Sequence, residues 1–332
     1  MVAVSKEMSQ LMQAFPESMA FGISAHYKLV FQPSARRYGV HPALYPVVRP
    51  LMRLLERRCD VNHVYTGLTD WHFLNALGRR PIVLTVTQRG TPHDTSLLKK
   101  VAHVVAESEA LGREALAAGV PEDRVSVMFP GVDLRQFQPA PPPAVTGEWR
   151  CVFASSPEND DEIRTKGLDL LLELARREPS LHLTVLWRPF GPASDEALKD
   201  VRARCSPNVH INVGRVPRIQ AFYEAAHFSV APFRTLGKPC PNSVIEALAV
   251  GRPALVSHYV DMGQVLEKDR AGVRFAPEID ALQLAYRTLC ANYVELQANS
   301  RRCAETHFSL EAVIRHYTRV YDAVVSAHGR RA

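Results

Sequence analysis

The feature that most constrains this chain is an alternation of short apolar runs with helix-like stretches that runs twice, interrupted once by a cluster of prolines. Apolar runs without polar alternation suit strands buried on both faces. The amphipathic stretches between them suit crossover helices, so the pattern predicts parallel sheets covered on both sides. In the first half the strands are expected at PIVLTVT (81–87), HVVAES (103–108) and RVSVMFP (124–130), with an amphipathic helix in EALGREALAAG that Gly119 closes. Then QPAPPPAVTG (138–147) carries Pro139, Pro141, Pro142 and Pro143, whose fixed φ and missing N–H forbid a helix or a central strand and mark a linker. Beyond it the alternation restarts with WRCVFASS, GLDLLLELARR, LHLTVLWRP, a polar helix, NVHINVG, HFSVAPF, a short helix, RPALVS and AGVRFAP. Residues 279–328 read as helical, with Ser309 placed to cap LEAVIRHYTRVYDAVV. The expected organisation is a domain over 1–140, a second over 141–305, and a last helix over 306–332 that packs back toward the first.

Composition narrows the class of protein. A length of 332 residues suits two domains of about 150. With 46 % hydrophobic and 22 % charged residues the chain can bury large cores. Lys and Arg exceed Asp and Glu by 40 to 34, and the resulting charge of +6 favours anionic partners such as nucleotides, phosphates or acidic lipid surfaces. No helix-turn-helix or aromatic-basic pattern accompanies that charge, so nucleic acid is not an expected partner. The six cysteines are scattered without a C-x2-C pair, which suggests a reducing compartment and neither a disulfide framework nor a zinc site. No 18-residue apolar run occurs, and Lys6 and Glu7 stand where a signal peptide would be apolar. A cytoplasmic protein is expected, compatible with peripheral binding at the inner face of a membrane.

In open parallel sheets ligands bind beyond the carboxyl ends of strands, often at a helix N-terminus. One junction has that form: HFSVAPF leads into RTLGKPCPNSVIEALAVGRPALVS. Pro241 suits the first helical position, Gly251 the residue past the end, and the first turn, Asn242-Ser243-Val244, offers backbone N–H groups to an anion. Glu246 follows Asn242 by four residues on the same face, roughly 6 Å along the axis, about the distance from a diphosphate to the ribose hydroxyls. After the first strand of the second domain, Arg164 and Lys166 stand before another helix on the same side, and two cations there would complement a diphosphate. A capped helix with a solvent-facing Glu and a solvated cation pair are the competing structural readings of the two segments.

These residues carry a resemblance. Over nearly its whole length the chain resembles the retaining family-4 glycosyltransferases, a branch of the group 1 glycosyl transferases. VSVMFPGVDLRQFQP (125–139) is similar to the signature that ends their N-terminal domain, TKGLDLLLELA to their K-G helix start, and the stretch through EALAVGRP to their donor site. The resemblance implies the GT-B fold, two Rossmann-like α/β domains facing a cleft, with the acceptor held on the N-terminal domain and a nucleotide-diphosphate sugar on the C-terminal one. It implies that Lys166 neutralises the diphosphate, that Glu246 binds the ribose, and that Pro241, Asn242, Ser243 and Val244 surround the phosphates. It implies no cofactor and no metal, and the sequence has no D-x-D triplet.

Several positions depart from the pattern. Where the family has the first carboxylate of an E-x7-E pair, this chain has Lys238. The family's G-R dipeptide reads Ala154-Ser155, leaving Arg164 or Arg188 as substitutes. Thr87, followed by Gln88 and Arg89, replaces a strand-end His on the acceptor side, where His93 is close enough in sequence to enter the same cleft and Trp71 and His72 are further candidates. MVAVSKEMSQLMQAF resembles the family's first helix, without the strand and glycine-rich loop that usually precede it. Gly131-Val132-Asp133 is read as a structural turn, Cys240 as a packed thiol, and His103, His182, His210 and His227 as interior residues. The expectation is a hexosyl-type transferase acting on a hydroxyl acceptor in a glycan, a lipid-linked glycan or a natural product. The alternative is a catalytically silent GT-B scaffold that partners another glycosyltransferase.

Overall fold

The structure is a computed structural model and describes residues 3–23, 29–32, 36–68, 72–90, 95–189, 191–236 and 238–330. The chain forms two compact units, one of residues 1–130 with 311–332 and one of residues 131–310.

The first unit opens with α1 (Ala3–Ala14) and continues through β1 (Ala20–Ile23), β2 (Leu29–Gln32), β3 (Arg37–Val40) and α2 (Tyr45–Leu55). Strands β1 and β2 flank β3, parallel and antiparallel to it respectively. Next come β4 (Asn62–Thr66), α3 (His72–Ala76), β5 (Ile82–Val86), β6 (Val101–Ala106), α4 (Glu109–Ala117) and β7 (Val125–Val127). Strands β4 to β7 make a parallel sheet in chain order. All five side chains of β5 are buried, as expected of a strand covered on both faces. Ser108 caps α4, its hydroxyl accepting the Leu111 N–H at 3.2 Å.

The second unit is built from β8 (Trp149–Phe153), α5 (Asp160–Thr165), α6 (Leu168–Arg177), β9 (Leu181–Trp187), α7 (Pro192–Ala203), β10 (Val209–Val213), α8 (Gln220–Ala225) and β11 (Phe228–Ala231). It continues with α9 (Asn242–Ala249), β12 (Ala254–Ser257), α10 (Gly263–Lys268), β13 (Gly272–Phe275), α11 (Ile279–Ala291) and α12 (Tyr293–His307). All six strands pair in parallel in the order β10-β9-β8-β11-β12-β13. The order reverses between β8 and β11, which makes a topological switch point at their carboxyl ends.

The division falls at Pro130, ten residues before the expected boundary at 140. The residues that precede the prolines are anchored to the second unit: Val132 pairs with Ser309, Phe137 is buried, and Arg301 donates to the Phe137 carbonyl at 2.6 Å. The proline stretch itself is strapped down by Arg252, whose buried guanidinium donates to the Ala140 and Pro141 carbonyls at 2.9 and 2.8 Å. Residues after Leu310 form α13 (Leu310–Gly329), whose Val313, Tyr317, Val320 and Val324 share a core with Leu11, Val83 and Val105 of the first unit. Among the described residues no helix is long and apolar enough to cross a membrane.

Candidate functional site

Three strand ends of the second unit are tied together at its switch point. After β8 the chain turns through Ser156 into α5, whose N-cap Asn159 accepts the Glu162 N–H at 3.0 Å. Helix α5 was not anticipated, so Arg164 and Lys166 sit at the end of one short helix and before the next. Lys166 caps α5, and Gly167, at φ +71°, turns the chain into α6. A Cβ on Gly167 would lie 2.0 Å from the carbonyl oxygen of Pro232, just past β11, so the α5–α6 joint presses directly on that strand end. The Arg234 N–H donates to the Thr165 carbonyl at 2.8 Å and its guanidinium pairs with Asp169 at 2.9 Å, fastening the same two loops.

Lys166 donates through Nζ to the Ser156 carbonyl at 2.7 Å and pairs with Glu162 at 2.7 Å, partly exposed. Ser156 also reaches β9: its hydroxyl donates to the Arg188 carbonyl at 3.0 Å and accepts the Arg188 N–H at 2.9 Å. The Arg188 backbone is thereby fixed beside the Lys166 loop, and Arg164 is solvent-exposed.

On the β11 side the chain reaches α9, an eight-residue helix. Pro241 is its N-cap, one position earlier than expected, because at φ −66° and ψ 123° it is still extended while its carbonyl already accepts the Val244 N–H at 3.0 Å. The N–H groups of Asn242 and Ser243 therefore point out of the helix end, where the dipole favours an anion. Lys238 Nζ lies 3.4 Å from Asn242 Oδ1 at this end. Val244 is buried, and Gly251 at φ +87° follows the last turn as the sequence suggests.

Glu246 is not solvent-facing. Its side chain is 6 % exposed and accepts the Tyr223 hydroxyl proton at 2.9 Å. Burial, and then the neighbouring Glu246 carboxylate, pushes the Tyr223 pKa well above its usual value, so the phenol stays protonated as a donor. Tyr223, Ser156, Glu162 and Arg234 were missed from sequence because each meets its partner only after the chain folds; the Lys166–Glu162 spacing of four residues was the one available signal.

In the first unit Thr87 is buried at the end of β5 with its N–H donating to the Thr66 carbonyl at 3.1 Å. Arg89 pairs with Glu114 of α4 at 3.2 Å. His93 and Trp71 lie outside the described residues, and His72 opens α3. Asp133 accepts the Arg135 N–H at 2.9 Å in a turn, and Cys240 is buried. His227 is buried, accepting the Arg150 N–H at 3.0 Å, and His103 lies 2.8 Å from the Ser126 hydroxyl. His182 and His210 are exposed, contrary to the interior placement expected of strand residues, because their positions on β9 and β10 face solvent. Among the described residues no group of three or more His, Cys, Asp or Glu side chains is placed to hold a metal ion.

Comparison with known proteins extends this picture. Residues 151–292 match the family described as glycosyl transferases group 1. No curated protein matches the chain. Among solved structures, a glycosyltransferase from Rickettsia africae is 14 % identical with a TM-score of 0.75, covering 98 % of this chain and 96 % of its own. HepE from Anabaena, solved with UDP, is 13 % identical with a TM-score of 0.76, covering 97 % of this chain and 96 % of its own. Sucrose-phosphate synthase from Thermosynechococcus elongatus is 14 % identical with a TM-score of 0.74, covering 98 % of this chain and 93 % of its own. At such identities the likeness is one of fold. The chain has the GT-B fold of these glycosyltransferases, and its resemblance to group 1 stands on residues 151–292.

Proposed function

We propose that this chain is a retaining, metal-independent glycosyltransferase that moves a sugar, a hexose in the simplest case, from a nucleotide-diphosphate sugar to a hydroxyl acceptor. The observation that carries the reading is the meeting of the Lys166 loop with the loop leading to α9 at the switch point, fastened through Gly167–Pro232 and Thr165–Arg234. Cleaving the sugar–phosphate bond leaves added negative charge on the departing diphosphate. Cations and helix N–H groups fixed before the reaction stabilise that charge without reorganising.

In this reading Lys166, oriented by Ser156, shifts from Glu162 to the diphosphate, and Arg164, Arg188 and Lys238 add charge around it. Pro241, Asn242, Ser243 and Val244 form the wall over the phosphates, and Glu246, oriented by Tyr223, receives the ribose. Retention follows from attack on the face the diphosphate leaves, with a departing phosphate oxygen taking the acceptor proton. Thr87, Arg89 and His93 are the acceptor-side candidates. An acceptor on a glycan, a lipid-linked glycan or a natural product is compatible with this chemistry, and an anionic membrane surface suits the net charge of +6.

HepE was solved with UDP and with UDP-glucose, so UDP is the first probe, followed by ADP and GDP. Titration of the folded protein is expected to show binding of at least one; failure of all three would refute the reading. Lys166→Ala should lower transfer by about 10²- to 10³-fold, the usual loss for one group that stabilises transition-state charge. Glu246→Ala should weaken nucleotide binding while the protein stays folded. Lys238, standing where the family has a carboxylate, favours one other reading, the silent scaffold. Nucleotide binding with no donor hydrolysis or transfer above background would select it.

A further inference from the structure

We propose that α2 is a docking surface for an anionic lipid bilayer. Leu44, just before the helix, and Val47, Leu51 and Leu54 within it recur at spacings of three and four residues and so form one stripe, yet all are exposed, Val47 to 75 % and Leu54 to 58 %. The helix already buries its opposite side through Met52. This outward stripe is therefore a second apolar face, not the helix's share of the core.

The charge beside the stripe has one sign. Arg49, Arg53 and Arg57 follow one another at i, i+4 and i+8 along one flank, and with Arg79, Pro46, Pro50 and Leu54 they line an open groove of about 460 Å³. Two of these guanidiniums are preset: Arg49 Nη2 donates to the Asn75 carbonyl at 3.2 Å and Arg53 Nε to the Ala76 carbonyl at 3.1 Å. The segment 42–58 holds a single acid, Glu56, and it is turned inward. There Glu56 Oε1 accepts the N–H groups of Gly78, Arg79 and Arg80 and the Asn62 amide at 2.7–3.0 Å. Burial would raise its pKa, but these donors outweigh burial and lower it.

An apolar stripe with an arginine-lined groove on its flank matches a bilayer surface in both respects. The leucines and valine enter the boundary between headgroups and acyl chains, and the forked guanidiniums meet lipid phosphates. A second copy of the chain fits poorly, because a two-fold contact on this stripe would bring the arginine flanks of both copies toward one shared interface.

Sedimentation with vesicles tests the assignment. In about 0.1 M salt, where the screening length is about 10 Å, the full chain should pellet with vesicles of phosphatidylglycerol and phosphatidylcholine and not with phosphatidylcholine alone. Arg57→Gln with Arg79→Gln should weaken binding about 25-fold, each cation near an anionic leaflet contributing about fivefold. Val47→Asp with Leu54→Asp should abolish it. All four side chains are exposed, so the melting curve should not move and loss of binding cannot be attributed to unfolding. Absence of binding to anionic vesicles, or binding unchanged in both double variants, would overturn the proposal. So would a concentration-dependent dimer that the aspartate pair abolishes without any vesicle binding, or tighter retention by RNA than by lipid. Vesicle binding requires neither donor nor acceptor, so its failure would leave the transfer reading intact.

Discussion

Gly167 is the residue on which the geometry of the candidate site depends most directly. Its φ of +71° is strained for an L side chain, and its Cα faces the Pro232 carbonyl so closely that a methyl group would sit 2.0 Å from the oxygen. Gly167→Ala must therefore push α6 away from the end of β11, breaking the register that brings Lys166 and the loop toward α9 together. A loss of about 3 kcal/mol or more is expected, with a lower melting temperature and weaker nucleotide binding appearing together. Gly191 offers the contrast, since it has φ +117° but nothing within 4 Å of a Cβ. There Ala would meet no neighbour and should cost the backbone strain alone, on the order of 1–3 kcal/mol. Equal losses at the two positions, measured by denaturant unfolding, would remove the close approach as the cause. The sequence motif Lys166-Gly167 exposed this joint, whereas Tyr223 under Glu246 and Ser156 under Lys166 were hidden, because a hydroxyl that bonds 23 residues away, or a backbone carbonyl that bonds 10 away, leaves no periodic trace.

At the scale of elements, α13 is held to the sheet of the first unit by a polar seam as well as by apolar packing. His63 on β4 bridges the two: Nε2 meets the Thr85 hydroxyl at 2.7 Å and Nδ1 meets the Tyr321 hydroxyl at 2.5 Å. Thr85 continues to the Tyr317 hydroxyl at 2.8 Å. Burial pushes the His63 pKa down to about 3, and burial also lowers those of His103 and His316, which share the Ser126 hydroxyl. The unfolded chain takes up these protons near pH 6.5 while the folded one resists them. The stability they contribute is therefore complete above about pH 6.5 and is lost as pH falls toward 3. For His63 the loss by pH 4 should be on the order of 3 kcal/mol. Thermal unfolding at pH 7, 5 and 4 should show the decline, and His63→Gln should flatten it; a parallel decline in the variant would assign the acid sensitivity elsewhere. The same seam explains which strands could be read in advance. Strands β5 to β13 present short apolar or alternating runs between helix-like stretches and were visible. Strand β4, Asn-His-Val-Tyr-Thr, turns His63 and Tyr65 toward α13 and so lacks such a run. Helix α5 and the sheet of β1 to β3 are too short for a period to show.

For the whole molecule the decisive fact is the path of the chain, which leaves the first unit at Pro130, builds the second through Leu310 and returns as α13. The second unit is continuous and contains every residue assigned to the donor. The first is completed only by the C-terminal helix. Removing residues after Leu310 takes away Val313, Tyr317, Val320 and Val324, four buried side chains. At about 1.5–3 kcal/mol each they amount to roughly 6–12 kcal/mol, comparable to the 5–15 kcal/mol that keeps a typical domain folded. The loss also bares Val83 and Val105 on the sheet. The shortened chain should therefore lose the first unit while the second persists, giving a protease-resistant fragment that begins near Gly131 and still binds the nucleotide bound by the full chain. Saturating that ligand at about a hundred times its Kd should protect the fragment by about 2.7 kcal/mol. If the shortened chain keeps its first unit intact, the packing of α13 is not what holds that unit together. If nucleotide binding vanishes with the helix, the donor residues depend on more than the unit that carries them.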